Sequence, residues 1–257
     1  MLRFAANISF LYKELPFLDR FAAAAEAGFK FIECHWPYDN TIETLRDHLA
    51  RAGQSLIMVN TAPGTREGDF GLAAVPGREA DFQAALDQSL RYVSALGATR
   101  IHCMAGKVPV TATAHRTFVD NLRRGADKAA GKGAMLVIEP LNTRSAPGYF
   151  LTHAQQAVDI IGEVDRPNVK LLFDVFHLQI MDGDIIMRLE KLLPLIGHVQ
   201  IAAVPSRAEP DEGEINYPAV FDALDRLGYK GWVGCEYKPR GRTEDGLRWG
   251  RAFGLGA

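Results

Sequence analysis

Eight short apolar runs, each separated from the next by a longer amphipathic segment, narrow most sharply what this chain can become. They are RFAANIS (3–9), KFIECHW (30–36), SLIMVN (55–60), RIHCMAG (100–106), AMLVIEP (134–140), VKLLFDV (169–175), GHVQIAA (197–203) and WVGCEY (232–237). Several are near-continuous in hydrophobicity rather than alternating, as strands covered on both faces must be. Helical periodicity falls between them near 16–27, 41–52, 115–132, 153–164, 184–193 and 217–227, and the segment 77–97 puts Phe82, Leu86, Leu90 and Val93 on one face before Gly97. This order predicts an α/β protein, a (β/α)8 TIM barrel forming a single domain over 1–257. An open doubly wound sheet is the alternative, but it wants a GxGxxG after an early strand and none is present.

Charge removes several function classes. With 29 basic and 31 acidic residues spread along 257, the net charge is −2, and no basic stripe offers itself to a phosphate backbone. No apolar run approaches the roughly 18 residues of a membrane span. Lys13 and Glu14 interrupt the N-terminal apolar stretch too early for a signal peptide. Cys34, Cys103 and Cys235 lie in apolar runs without a CxxC pair and read as reduced core thiols. A cytoplasmic protein is expected, alone or as a homo-oligomer, with no nucleic-acid or membrane partner.

Four proposed strands end on a polar group: Glu139, Asp174, Gln200 and Glu236 close strands five to eight, each about one βα unit from the next. An acid after a strand can simply cap the following helix. Four on consecutive strands of a closed barrel converge instead, and three carboxylates with an amide repel unless a cation sits among them. An oxygen-rich, thiolate-free set suits Mg²⁺ or Mn²⁺. His177, three residues past Asp174, lies at the same rim as a substrate-orienting or proton-exchanging group. His102 reads as a packed or supporting residue, and the other five histidines as surface or loop residues. The longest irregular stretches follow strands three and seven, at the end where barrel active sites are built.

At these residues the chain resembles the hydroxypyruvate isomerase family of the xylose isomerase-like barrels. The likeness runs through RFAANISFLY, WPYD, NTAPG, VPGRE, EPLN, DVFHLQIMDG, GHVQIAAVPSRAEPDEGEINYP and GWVGCEYKPRG. It implies that Glu139 and Glu236 are the paired proton-transfer carboxylates, and that Glu139, Asp174, Gln200 and Glu236 ring a divalent metal. The implied reaction interconverts hydroxypyruvate and tartronate semialdehyde through a metal-stabilised enediolate. The closely similar 2-oxo-tetronate isomerases share much of the pattern. Related ketose 3-epimerases usually have His in place of Gln200.

A 2-keto acid carries its own carboxylate, and Arg207 is the first candidate to grip it with two hydrogen bonds, Lys238 the second if its strand persists. Asn7, Asn60 and Glu33 are candidates to line the same mouth, with caps and turns as their structural alternatives. Gly64, Gly68, Gly71 and Gly77 make residues 61–80 a candidate pliable lid. Rival readings are a ketose 3-epimerase acting on a short sugar, a multi-zinc endonuclease on the same barrel, and a non-catalytic binding module.

Overall fold

In the computed structural model, which describes residues 2–255, all eight expected strands form. They are β1 Phe4–Asn7, β2 Phe31–Cys34, β3 Ser55–Asn60, β4 Arg100–His102, β5 Met135–Ile138, β6 Val169–Asp174, β7 Ile196–Ile201 and β8 Val233–Cys235. Each pairs in parallel with its successor and β8 returns to β1, so the sheet closes into a barrel and the open doubly wound sheet is excluded.

Helices α1 Asp19–Glu26, α2 Ile42–Ala52, α3 Glu79–Leu96, α4 Ala112–Ala130 and α5 Ala154–Val164 fill the first five connections. Local chemistry sets their ends. Thr41 caps α2 by accepting from Thr44 N at 3.2 Å, Thr111 caps α4 through Ala114 N at 3.2 Å, and α3 stops at Gly97 with φ 74°. Beyond β6 the chain departs from expectation. Helix α6, Val175–Met181, starts directly on Asp174, before the expected helix α7, Ile185–Leu192. Helix α8, Tyr217–Arg226, is capped by Asn216 with Pro218 in its first turn. After β8, the single turn α9, Thr243–Gly246, leads into a 3₁₀ segment whose Trp249 packs edge-on against Phe4 at 5.4 Å.

Two apolar layers result. Helix residues such as Phe82, Leu86, Phe118, Leu122 and Phe221 pack on the barrel's outer face, each burial contributing about 1.5–3 kcal/mol. Inside, Ala5, Ile57, Met58, Val137 and Leu172 plug the lower interior. Toward the strand C-termini the interior turns polar. Asn7 lies opposite Glu33, Asn60 opposite His102, and Asp174 opposite Gln200 in register, so neighbouring strands deliver their polar groups in pairs. Gly234, opposite Gln200, leaves the space that Glu33 takes: a Cβ there would sit 2.5 Å from Glu33 Oε1. Among the described residues, no helix is long and apolar enough to cross a membrane.

Residues 61–80 do not have the form of a pliable lid. Leu72, Ala73 and Ala74 are buried, their backbone N–H groups donate to Met104 O and Ala105 O, and Arg78 ties Asp69 and Asp81. The glycines serve fixed geometry: Gly71 has φ 103°, and a Cβ there would meet Met104 Cβ at 2.5 Å. The longest exposed run is 65–68, with Pro76 and Gly77 exposed beyond it.

Candidate active site

Glu139 stands one residue past β5, Asp174 ends β6, Gln200 lies within β7 and Glu236 stands one past β8, all four buried. One atom from each of Glu139, Asp174, His177 and Glu236 falls within 4.8 Å of the others. Asp174 divides its carboxylate: Oδ1 accepts from Phe176 N at 2.8 Å and caps α6, while Oδ2 has no hydrogen-bond partner. Glu139 Oε1 and Gln200 Oε1 are likewise buried and unpartnered. Buried acceptors are seldom left orphaned. Those of Glu139 and Asp174, in a buried cluster with Glu236, fit a hard divalent cation, and Gln200 Oε1 is a further acceptor left without a partner.

The two glutamates differ sharply in surroundings. Glu236 Oε1 accepts from His35 Nε2 at 2.8 Å, Asn7 Nδ2 at 3.0 Å and Gln200 Nε2 at 3.4 Å, and its Oε2 pairs with Arg207. Burial pushes the Glu236 carboxyl up, but the Arg207 guanidinium and His35 outweigh it and hold the group at about 2. Glu139 has only looser neighbours, His102 Nδ1 at 3.4 Å and His177 Nε2 at 3.8 Å. Burial, Glu236 and Asp174 together raise it well above the usual carboxylate range. Burial likewise pushes Asp174 up, to about 7, against the pull of Arg207.

Arg207 reaches the acids from the loop after β7, its guanidinium 4.8 Å from both the Phe10 and Phe176 rings. It stays charged because Glu236, Asp174 and Glu139 outweigh the cost of its burial. Its backbone sits at φ 56°, a conformation that costs a non-glycine residue about 1–3 kcal/mol. Backbone bonds from Arg207 N to Ala203 O and from Lys238 N to Arg207 O, both 2.7 Å, hold it there. His177 Nδ1 accepts from Asn142 N at 2.9 Å, and its Nε2 lies 3.2 Å from Arg207 Nη1, so both ring nitrogens meet donors. Nε2 lies 3.6 Å from Asp174 Oδ2 and 3.8 Å from Glu139 Oε1. Burial and Arg207 lower its pKa well below the ordinary value, keeping it neutral.

These groups open into a cavity of about 530 Å³ whose apolar wall includes Phe10, Trp36, Phe70, Met104 and Leu141. Lys238 and Asn60 line it; Lys238 does so from a loop, because β8 ends at Cys235 and does not continue as the expected strand. Asn7 lies deeper, bridging Glu33 and Glu236. Two histidines expected at the surface are in the interior. His35 bonds Glu236, and His198 is fully buried with Nε2 2.6 Å from Glu33 Oε2. His35 stands one residue past β2, and His198 shares Gln200's face two residues earlier on β7, a period-two signal that marks it as inward-facing.

Comparison with known proteins gives a consistent result. A sequence model of the xylose isomerase-like TIM barrel family matches residues 21–253. The 2-oxo-tetronate isomerase of Cupriavidus necator is 48% identical over 253 residues, 97% of each chain. The hydroxypyruvate isomerase of Escherichia coli is 42% identical over 253 residues, 97% of this chain and 98% of that one. A Brucella melitensis crystal structure titled AP endonuclease, family 2, superposes with TM-score 0.96 at 45% identity, covering 98% of this chain and 99% of that one.

Proposed function

Because the chain belongs to the xylose isomerase-like TIM barrel family and is an isomerase, we propose that it interconverts hydroxypyruvate and tartronate semialdehyde, with Glu139 and Glu236 exchanging protons. The observation that carries this reading is the unlike setting of the two buried glutamates around one cluster of unpartnered oxygens.

The reaction moves a carbonyl between adjacent carbons. A base removes a proton from the hydroxymethyl carbon, an enediolate forms, and an acid returns a proton to the former carbonyl carbon while a hydroxyl proton passes between the oxygens. Glu236, held ionised by Arg207 and His35, can take the first proton. Glu139, its carboxyl raised by burial and its acidic neighbours, takes the complementary part and returns a proton to the substrate, and the roles reverse in the opposite direction. Carboxylates this close titrate as a set, so the asymmetry belongs to the pair. His177 orients a substrate oxygen, and Arg207 grips the substrate carboxylate. Lys238, Asn7 and Asn60 complete the proposed binding wall. A bound Mg²⁺ or Mn²⁺, held by Glu139, Asp174, Gln200 and Glu236, would supply the positive charge that favours an enediolate over its neutral parents. The substrate is thus a small 2-keto acid, with no nucleic-acid or membrane partner in this reading.

A 2-oxo-tetronate is the second reading, favoured by the Cupriavidus relative's name and by a cavity of about 530 Å³ with room for another carbon. The guanidinium inside the site argues against a neutral ketose. The endonuclease title of the Brucella protein is not carried over, since a chain of net charge −2 lacks a basic track and its cluster holds one histidine. Proton NMR of hydroxypyruvate in D₂O with Mg²⁺-loaded protein tests the proposal. Tartronate semialdehyde signals that vanish on chelation support it. No product and no exchange of the hydroxymethyl protons rejects hydroxypyruvate and brings 2-oxo-tetronates forward.

A further inference from the structure

Glu33 is a fully buried carboxylate in the barrel interior that the proton transfers above do not use. Its oxygens are occupied: Oε1 accepts from Gln200 Nε2 at 2.7 Å and Asn7 Nδ2 at 3.1 Å, and Oε2 from His198 Nε2 at 2.6 Å. With three donors converging on it, Glu33 has no free lone pair aimed at the acid cluster. Its effect falls on its neighbours. An amide has a donor end and an acceptor end, and a carboxylate at 2.7 Å accepts only the donor. Turned around, Gln200 would set oxygen against oxygen there. Asn7 is fixed at its other end, since Oδ1 accepts from Ser9 N at 3.0 Å, whereas Gln200 Oε1 has no partner at all.

We propose that Glu33 is a positioning residue that locks the Gln200 amide with its nitrogen on Glu33 and 3.4 Å from Glu236 Oε1, leaving its unpartnered oxygen as the atom for the cation, and so sets the site's affinity for a divalent cation. This rests on the cation-binding reading of that cluster. His198 braces Glu33, and the missing side chain at Gly234 gives it room.

The test is calorimetric titration of chelator-stripped full-length protein with Mn²⁺, with thermal melts to confirm folding. Glu33→Gln removes the obligate acceptor and lets the amide turn, and the Kd for Mn²⁺ is expected to rise about tenfold or more, as for other outer partners of metal ligands. The decisive variant exchanges the two groups, Glu33→Gln with Gln200→Glu. Total charge is conserved, the bond is reversed, and an oxygen is still left for the cation, so Mn²⁺ affinity should return to within about threefold of native, a small fraction of the tenfold or greater loss expected for the single change. A merely structural role would leave the exchange worse than Glu33→Gln alone. That result, an exchange that fails to fold, or an unchanged Kd in Glu33→Gln, overturns the proposal. Absence of Mn²⁺ binding by the native protein would instead sink the cation reading itself.

Discussion

Strands β5–β8 and β1–β4 contribute equally to the closed sheet but meet the cavity with different chemistry. The first group brings Glu139, Asp174, Gln200 and Glu236, three of them with an oxygen that nothing in the protein satisfies. The second brings Asn7, Glu33, His35 and His102, most of whose contacts run to those acids or to each other. One half is left chemically open and the other spends its hydrogen bonds holding it. Openness at a buried site costs stability, so the holding half is what makes the reacting half tolerable.

Substitutions should grade along that divide. Glu139→Gln and Glu236→Gln, each nearly isosteric, should lower kcat by about a thousandfold in initial-rate assays, since each removes a proton-transfer group. If either keeps a tenth of native activity, the division is wrong. Arg207→Ala should lower kcat/KM by about a hundredfold or more, because it strips a buried charge from Glu236 and the grip from the substrate. Arg207→Lys should recover little, as an ammonium cannot reproduce the stacked fork between Phe10 and Phe176.

Proton competition sharpens the contrast. Asp174, raised to about 7, and Glu139, raised well above the usual carboxylate range, must lose protons before holding a cation, whereas Glu236, held at about 2, need not. Apparent Mn²⁺ affinity should therefore weaken as pH falls below about 7, by about tenfold per unit where one proton is displaced. The same Asp174 shift makes burial of the ionised group progressively destabilising as pH rises from its unfolded value near 4 toward 7. Cation addition should raise the thermal midpoint most at the upper end of that window. A midpoint increment independent of pH would show that the acids are not the ligands.

From the groups that hold or make room around the acids, smaller effects are expected. His35→Ala should let the Glu236 carboxyl rise and cost about tenfold in kcat, with the acid limb of the pH–rate profile moving up. Gly234→Ala should act on stability first, by about 1–3 kcal/mol in urea melts, because its Cβ must displace Glu33. A His35→Ala loss as large as that of Glu139→Gln would erase the distinction between the halves.

The same divide marks what could be read from the chain alone. All eight strands were legible because apolar runs at βα spacing allow few alternatives, and Glu139, Asp174, Gln200 and Glu236 stood out because acids at apolar strand ends are costly. The holding half was quieter. His35 sits beside Trp36 and Pro37 in what reads as a surface turn, and its partner Glu236 is 201 positions away. His198 reads as an ordinary polar residue until the barrel closes and Glu33 arrives from β2. The lid expectation failed because glycine content signals backbone permission: at Gly71 that permission serves a fixed close approach to Met104. Helix α6 was hidden because Asp174 belongs to both elements, ending one and capping the other.

That double membership reaches beyond the helix boundary. One oxygen of Asp174 is committed to starting α6 and the other to the cavity, through a single rigid carboxyl plane. Asparagine could keep the cap and lose the charge; glutamate could keep the charge and misplace the cap. Folding and chemistry therefore meet at this position, and asparagine is the substitution that would separate them. Any lineage that retunes its substrate on this scaffold must do so around residue 174, leaving it as a fixed point while the loops that carry Arg207 and Lys238 drift.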